Sequence, residues 1–271
     1  MFGRAARMLE INAEVVVDAV SSFIRRHVKP PIRGAVIGLS GGLDSTVTAY
    51  LCVEALGPDR VLALILPDPE VTPKQDVDDA LLVAERLGVK HTLIDISSIL
   101  EAFSSSIPNF RFDAKVPVGN LRARIRMCLL YYYANLEGRL VIGTGDRSEL
   151  LLGYFTKYGD GGVDILPIGG LYKTQVRRLG EYLGIPESII KKPSSPRLWR
   201  GHLAEEELGL TYDVIDPILH LLVDRKLPPS EVSAELNLPL NYVLRVKSMI
   251  EFSEHKRRLP PIAELPPEAF A

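Results

Sequence analysis

A short polar segment joins an apolar run to a stretch with helical periodicity. Its six residues are Ser40, Gly41, Gly42, Leu43, Asp44 and Ser45. Glycines let the backbone approach a ligand closely, and the unpaired amides at a helix start carry the positive end of the helix dipole. The serine hydroxyls add donors, and Ser45 can also cap the helix. The segment therefore predicts a site for phosphate oxygens; the alternative is an ordinary glycine turn with a capping serine.

Two familiar nucleotide-binding patterns are excluded at this segment. No lysine follows the glycines as it does in GxxxxGK[ST], and the spacing GxGxxG is absent. The predicted phosphate site is therefore neither a kinase-type loop nor a Rossmann dinucleotide loop.

A second candidate region follows the apolar run at 139–144 and holds several glycines between two helical stretches. Loops at the carboxyl ends of strands hold the ligand in a doubly wound sheet. If the strands before the two regions flank one crevice, Asp44 and Glu149 reach it together. Two carboxylates beside a triphosphate imply Mg²⁺, which prefers oxygen ligands. The alternative for Glu149 is a solvated acid in the first turn of a helix.

The elements that must position these residues alternate along the chain. Short apolar runs predict strands at 33–39, 61–66, 90–96 and 139–144. Helical periodicity predicts helices at 45–56, 73–88, 97–105 and 118–136. This alternation predicts an α/β fold, a doubly wound parallel sheet with helices on both faces. The strands are continuous apolar runs, as expected when both faces of the sheet are covered.

The pattern favours one domain over residues 1–271. Its α/β core is predicted over about 1–170, and a helical C-terminal part over about 171–258, because no convincing strand follows residue 172. Four prolines in the last segment, 259–271, predict an extended tail.

The composition excludes several classes of function. Lysine and arginine total 32 against 34 acids, a net charge of −2, which gives no global field to attract nucleic acid or an anionic membrane. No apolar run is long enough to span a membrane, and acidic residues interrupt the amphipathic N-terminal helix. We therefore expect a cytoplasmic protein. Cys52 and Cys128 lie in apolar helical patterns, and we expect both to be buried.

Two stretches resemble known families. SGGLDS at 40–45 resembles the SGGxDS loop of the ATP pyrophosphatases, which cleave ATP between the α and β phosphates. GTGDRSELLLGYFTKYGDGGVDILPIGGLYKTQV, beginning at residue 143, is very similar to the matching stretch of NAD synthetases, especially archaeal-like forms. NLRARIRM, LGLTYDVID and EHKRR match the same family, so the resemblance covers roughly residues 10 to 260.

The resemblance implies an adenine nucleotide alpha hydrolase-like fold and ATP-dependent amidation of deamido-NAD. In this family the nicotinate carboxylate is activated as an adenylate with release of pyrophosphate, ammonia attacks it, and NAD and AMP leave. The resemblance further implies a homodimer, to whose interface the N-terminal helix (Ile11, Val15, Val16 and Ala19) and the tyrosine-rich helix could contribute.

The resemblance also implies residue roles. For ATP it implies the loop Gly38, Leu39, Ser40, Gly41, Gly42, Leu43, Asp44 and Ser45, together with Thr144, Lys173 and Ser195. For Mg²⁺ it implies Asp44 and Glu149. For deamido-NAD it implies Arg124, Lys157, Asp164, His255 and Lys256. Four of the matching positions would act directly in catalysis: Asp44, Asp160, Lys173 and Ser195. Asp160 would lie near the ammonia, where a carboxylate can help to remove its proton.

Three arginines lie on the helix predicted at 118–136. One stripe of this helix holds Asn120, Arg124, Met127 and Tyr131. Arg122 and Arg126 fall on the opposite side, so they must differ in role from Arg124. The spacing does not say which face meets the ligand, and the choice of Arg124 rests on the resemblance. We expect Arg122 and Arg126 to be solvated or to face a second subunit.

The segment 192–209 departs from the family pattern. Arg197 stands where the family has an acid or a glycine, and His202-Leu203-Ala204 stands where it has Gln-Thr-Asp. These differences affect the expected contacts of this loop with ATP. His202 is expected to be a surface residue, with a catalytic base as the alternative.

Ammonia is the expected nitrogen source, because neither cysteine has an adjacent base and no amidohydrolase domain fits before Ser40. A separate glutaminase is the other possible source. The alternative within enzymes is another amidotransferase with this loop, such as the ATP-binding subunit of a GMP synthetase. A helix-turn-helix nucleic-acid-binding protein is the alternative from another class, suggested by residues 230–248.

Overall fold

A computed structural model gives the fold, and it describes residues 8–266 and 269–270. Four strands form one parallel sheet: β1 (Gly34–Gly38), β2 (Val61–Ile65), β3 (Lys90–Leu93) and β4 (Arg139–Ile142). Their order is β3-β2-β1-β4, and Val36 of β1 lies opposite Leu62 on one side and Val141 on the other. The chain therefore leaves β1 in one direction and later returns to its other side, which confirms the doubly wound sheet.

The helices of the α/β core are α1 (Ala13–His27), α2 (Leu43–Leu56), α3 (Lys74–Leu87), α4 (Ser97–Ser106), α5 (Lys115–Glu137), α6 (Arg147–Leu152) and α7 (Lys173–Tyr182). Those of the remaining chain are α8 (Glu187–Ile190), α9 (Ala204–Leu208), α10 (Tyr212–Leu219), α11 (Pro229–Leu236) and α12 (Leu240–Phe252). Strand β3 is shorter than its predicted span, 90–96. The Asp95 carboxylate accepts the Ser97 amide at 2.8 Å and turns the chain into α4.

The two faces of the sheet are buried by different helices. Ala35 and Ile37 of β1 pack with apolar side chains of α1, α2, α3 and α7. Val36, between them, belongs with Leu62 and Leu64 to a second core under α4 and α5. Alternate residues of one strand thus enter different cores, because successive side chains point to opposite faces.

The C-terminal helices form a separate apolar cluster around Tyr212, Ile215, Leu219, Val243 and Val246. From residue 172 onward, the described part of the chain contains no strand of the sheet. Helices α11 and α12, which carry the segment suggestive of a helix-turn-helix, bury their valines in this cluster.

Two further expectations concern the burial of the cysteines, and one concerns a membrane span. Cys52 is buried as expected, whereas Cys128 is exposed, so its expected burial was wrong. The apolar pattern around Cys128 comes from neighbouring residues of α5 that face the core. The thiol itself lies on the outer side of that helix. Within the described residues, no helix is both long and apolar enough to cross a membrane.

Candidate active site

A cavity of about 530 Å³ opens at the carboxyl ends of β1, β2 and β4. Its wall includes Thr144 after β4 and residues of the loop between β1 and α2. Strands β1 and β4 are neighbours, so the two regions singled out by their glycines and acids meet at one crevice. The strand order therefore creates the switch point where a doubly wound sheet binds its ligand.

The loop after β1 is held by hydrogen bonds between its own residues. The Ser45 hydroxyl lies 3.2 Å from the Ser40 amide and 2.9 Å from the Ser40 hydroxyl, and it donates to the Gly42 carbonyl at 3.1 Å. Gly42, not Ser45, is the N-cap residue of α2, and it makes no side-chain capping bond. Amides of the first helical turn have no intrahelical acceptor. Without a side-chain cap, they suit anionic oxygens.

Three carboxylates and one lysine form a compact cluster beside this loop. The Lys173 ammonium lies 2.6 Å from Asp44, 2.8 Å from Asp146 and 2.9 Å from Glu149. Asp44 comes from the first turn of α2, Asp146 and Glu149 from the start of α6, and Lys173 from the start of α7. Three segments that lie far apart in the sequence thus meet at the carboxyl edge of the sheet.

Burial and charge act on these groups in opposite directions. Burial raises the pKa of Glu149 well above its usual value, although Lys173 lowers it. Burial also raises the pKa of Asp146. Burial would lower the pKa of Lys173, but the charges of Asp146, Asp44 and Glu149 raise it well above its usual value. The lysine is therefore firmly protonated and holds the acids together.

The donor set of this cluster fits a hard divalent cation. One ligand atom each from Asp44, Asp146 and Glu149 lies within 4.8 Å of the others. Asp44 Oδ1 is buried without a hydrogen-bond partner. Mg²⁺ prefers such carboxylate oxygens and keeps several waters. Sequence reasoning did not assign a role to Asp146. Its spacing to Glu149 is that of a capping box, and the structure contains this box.

Asp216 fixes the start of α7 and with it the position of Lys173. Its Oδ1 accepts the Ser148 hydroxyl at 2.6 Å, and its Oδ2 accepts the Thr174 amide at 2.8 Å. The Ser148 hydroxyl in turn accepts the Lys173 amide at 2.9 Å. Burial raises the pKa of Asp216 to about 7. This carboxyl group from α10 therefore joins α6 to α7 behind the cluster.

The raised pKa of Asp216 predicts a pH-dependent stability. Between its ordinary pKa of 3.8 and about 7, the unfolded chain has lost a proton that the folded protein keeps, so stability falls as the pH rises through this window. The Asp216→Asn variant lacks this titration. We expect the free energy of unfolding of the variant, measured by denaturant titration, to rise relative to that of the wild type as the pH increases from 4.5 to 7.5. A constant difference between the two proteins would contradict the assignment.

The predicted stripe on α5 faces the glycine-rich segment at 154–164. Three side-chain hydrogen bonds join them: Thr156 Oγ1 to Asn120 Oδ1 at 2.7 Å, Arg124 Nη2 to the Lys157 carbonyl at 3.2 Å, and Tyr131 OH to Asp164 Oδ1 at 3.1 Å. Asp160 in this segment accepts the Thr156 amide at 2.8 Å, and burial raises its pKa. Both Asp160 and Met127 line the cavity.

The C-terminal end of the described helices docks on the same segment. Lys157 donates to the His255 carbonyl at 2.9 Å. Lys256 donates to the carbonyls of Gly153 and Phe155, each at 2.7 Å, and lines the cavity, whereas His255 is exposed. The structure thus brings the predicted pair at 255–256 together with Lys157.

The loop at 193–203 covers another side of the cavity. Ser195 lines the cavity and donates its hydroxyl to the His202 carbonyl. Arg197 has φ of +50°, in the left-handed region that favours glycine, and its Nε donates to Asp76 at 2.7 Å. The left-handed backbone explains why a glycine suits this position. The arginine in this chain forms an ion pair with Asp76 of α3 instead.

His202 is buried, so its expected surface position was wrong. Only 3% of it is exposed, and its ring stacks on Trp199 at a centroid distance of 3.4 Å. Its Nε2 lies 2.6 Å from Glu207 and 3.0 Å from the Tyr154 hydroxyl. Burial lowers its pKa, which favours the neutral ring. The histidine joins the loop to α9.

The parallel sheet, the glycine loop after β1 and the carboxylate cluster define a nucleotide-binding protein of the adenine nucleotide alpha hydrolase-like class. The NAD synthase family model matches residues 16–260, and the chain belongs to this family.

Several known proteins are similar to this chain over nearly its full length. The NH₃-dependent NAD⁺ synthetase of Hyperthermus butylicus is 55% identical over 258 residues, which are 94% of this chain and 92% of the relative. That of Methanocaldococcus jannaschii is 49% identical over 94% of this chain and 98% of its own. Among solved structures, the NH₃-dependent NAD synthetase of Campylobacter jejuni has a TM-score of 0.79 at 35% identity, and the NMN synthetase of Francisella tularensis a TM-score of 0.80 at 36%. Each match covers 94% of this chain and 100% of the neighbour.

Proposed function

We propose that this chain catalyses the ATP-dependent amidation of deamido-NAD to NAD with ammonia. The observation that carries the proposal is the convergence of three parts on one cavity: the loop after β1, the cluster around Lys173, and the segment at 154–164. The names of the relatives, which include NH₃-dependent synthetases of several archaea, support the same reaction.

On the ATP side, the loop Gly38–Ser45 holds the phosphates through backbone amides and serine hydroxyls, and Thr144 adds a contact. Asp44 and Glu149, with Asp146 beside them, would hold Mg²⁺, which neutralises phosphate charge when bound. A nicotinate carboxylate oxygen forms a bond to the α phosphorus while the bond to pyrophosphate breaks. Lys173 and Ser195 stabilise the charge that develops on the departing pyrophosphate.

On the dinucleotide side, the residues that bind deamido-NAD are Arg124, Lys157, Asp164, His255 and Lys256. Ammonia then attacks the acyl carbon, the bond to the AMP oxygen breaks, and NAD and AMP leave. Asp160 accepts a proton from the nitrogen in this scheme, and the rise of its pKa on burial supports this role. Lys256 adds a positive charge beside it.

We further propose that the chain acts as a homodimer in the cytoplasm. Apolar side chains are exposed on two core helices: Val15 and Ala19 on α1, and Tyr132 and Leu136 on α5. Such faces suit a two-fold interface. Sedimentation equilibrium across a range of concentrations distinguishes a dimer from a monomer.

The test is a product analysis with the purified chain, ATP, Mg²⁺ and a nicotinate substrate. We expect equal amounts of NAD and AMP from deamido-NAD with ammonium chloride, and no NAD from glutamine unless a separate glutaminase is added. An arm with the nicotinate mononucleotide is included because one structural neighbour is named an NMN synthetase. Exclusive amidation of the mononucleotide, or intact ATP in every arm, would contradict the proposal.

A further inference from the structure

Arg126 projects from α5 to the wall of the cavity with few partners of its own. Its Nε donates to the Leu66 carbonyl at 2.9 Å, just beyond the carboxyl end of β2. Throughout the described part of the chain, the two Nη atoms make no hydrogen bond, and the guanidinium has no ion pair. The free Nη atoms fit the expectation that Arg126 is solvated, and the side chain turns into the crevice.

Asp68, whose charge acts on Arg126, is already paired with another arginine. Asp68 is engaged through both oxygens: Oδ2 accepts Arg122 Nε at 2.6 Å, and Oδ1 accepts the Glu70 amide at 3.1 Å. Arg122 and Asp68 are both buried, so this pair neutralises itself. Arg122 was thus wrongly expected to be solvated or to face a second subunit.

The charge of Arg126 persists at neutral pH. Burial lowers its pKa to about 10, which still leaves it protonated. Lys173, by contrast, has three carboxylate partners. A partly buried cation without an ion pair of its own is costly, and an incoming anion lowers this cost.

A guanidinium with free Nη groups is shaped for one kind of ligand. Its planar donors match the paired oxygens of a carboxylate or a phosphate. Arg126 and Asp160 also act electrostatically on each other, which places the guanidinium on the side of the cavity where the amidation is proposed to occur. The two reacting anions of the proposed reaction repel each other, and a fixed cation beside them offsets this repulsion.

We propose that Arg126 binds an oxyanion of the reacting pair, either the nicotinate carboxylate or the α phosphate that it attacks. This assignment rests on the proposed function and adds a substrate-binding residue to it. Arg126 is distinct from Arg124, which lies on the other stripe of α5 and bonds to the segment at 154–164.

The test compares Arg126→Gln and Arg126→Lys with the wild type and with Arg86→Gln, a matched control at an exposed arginine of α3. Isothermal titration gives separate dissociation constants for ATP with Mg²⁺, for deamido-NAD, and for NAD, which carries an amide in place of the carboxylate. Circular dichroism checks that each variant is folded.

We expect Arg126→Gln to weaken the binding of one ligand by about 10- to 100-fold. Arg126→Lys is expected to lose less affinity, because lysine keeps the positive charge but lacks the paired planar donors of the guanidinium. Loss for deamido-NAD but not for NAD assigns the carboxylate, and loss for ATP assigns the phosphate. The assignment would be overturned if Arg126→Gln kept all three affinities and a kcat/KM near that of the wild type. It would also be overturned if the variant lost affinity equally for NAD and deamido-NAD while its affinity for ATP stayed unchanged. Failure of the wild type to bind deamido-NAD and to form NAD would overturn the proposed function as well.

Discussion

Replacing Lys173 by Met is expected to lower kcat/KM for ATP by at least about 100-fold, the range seen when one preorganised charge is removed from an active site. The ammonium contacts Asp44, Asp146 and Glu149, so its loss also leaves three acids facing one another. Breaking a buried ion pair by removing one partner costs about 3 to 5 kcal/mol. The variant is therefore expected to be both inactive and less stable than the wild type.

Added Mg²⁺ separates these two effects. In the variant, a divalent cation supplies the positive charge that the acids have lost, so we expect Mg²⁺ to raise the melting temperature of Lys173→Met more than that of the wild type. Lys191→Met is the matched control, because Lys191 is exposed and, among the residues that the structure describes, forms an ion pair only with the exposed Glu187. Wild-type activity in Lys173→Met, or no stabilisation by Mg²⁺ despite a clear loss of stability, would contradict the assigned cluster.

Replacing Gly41 by Ala is expected to displace the loop that receives the phosphates. Gly41 has φ of +74°, and a β carbon there would lie 2.0 Å from the Asp76 carbonyl oxygen. That carbonyl belongs to α3, and the Asp76 carboxylate is held by Lys192 and Arg197, so the backbone cannot easily give way. We expect a loss of at least about tenfold in ATP affinity and an overlap cost of about 1 to 3 kcal/mol in stability.

Gly57→Ala is the matched control for this change. Gly57 has φ of +79°, but a β carbon there would meet no atom within 4 Å. It therefore measures the cost of a positive-φ backbone alone, about 1 to 3 kcal/mol. Titration calorimetry with ATP and denaturant unfolding compare the two variants. Equal effects of the two substitutions on ATP affinity would show that the overlap with Asp76 plays no part.

Local patterns were sufficient for the sheet and for the loop between β1 and α2. Continuous apolar runs identified β1, β2 and β4, because a strand covered on both faces has no polar side to obscure the pattern. Strand β3 lies at the edge of the sheet, and its residues KHTL are mostly exposed. The stripe on α5 was also predicted, and three of its members bond to one segment. These features depend on the neighbours of each residue in the sequence, which is why spacing could reveal them.

The rest of the candidate site depends on contacts that no local pattern encodes. Asp216 lies 43 residues after Lys173 in the sequence, on another helix, and holds the Lys173 amide in place through the Ser148 hydroxyl. Arg126 lies on the helix face opposite the predicted ligand stripe, yet α5 is buried deeply enough for both faces to have partners. His202 was expected at the surface because the sequence did not reveal its stacking on Trp199.

Arg197 illustrates how far a resemblance carries. The family pattern has an acid or a glycine at this position, and the left-handed backbone, with φ of +50°, suits the glycine. It could not predict how an arginine is accommodated, because the partner, Asp76, lies on another helix. In this chain, Arg197 adopts a backbone conformation that is easier for glycine, and its ion pair with Asp76 connects the loop to α3.

Oxygen transfer during a single turnover tests the central claim most directly. Deamido-NAD labelled with ¹⁸O in both carboxylate oxygens is incubated with the chain, ATP, Mg²⁺ and ammonium chloride, and the products are resolved by mass. Attack of the carboxylate on the α phosphorus predicts one ¹⁸O atom in AMP, one in the amide of NAD, and none in pyrophosphate. Label in pyrophosphate, or NAD formed beside unlabelled AMP, would contradict activation of the carboxylate as an adenylate.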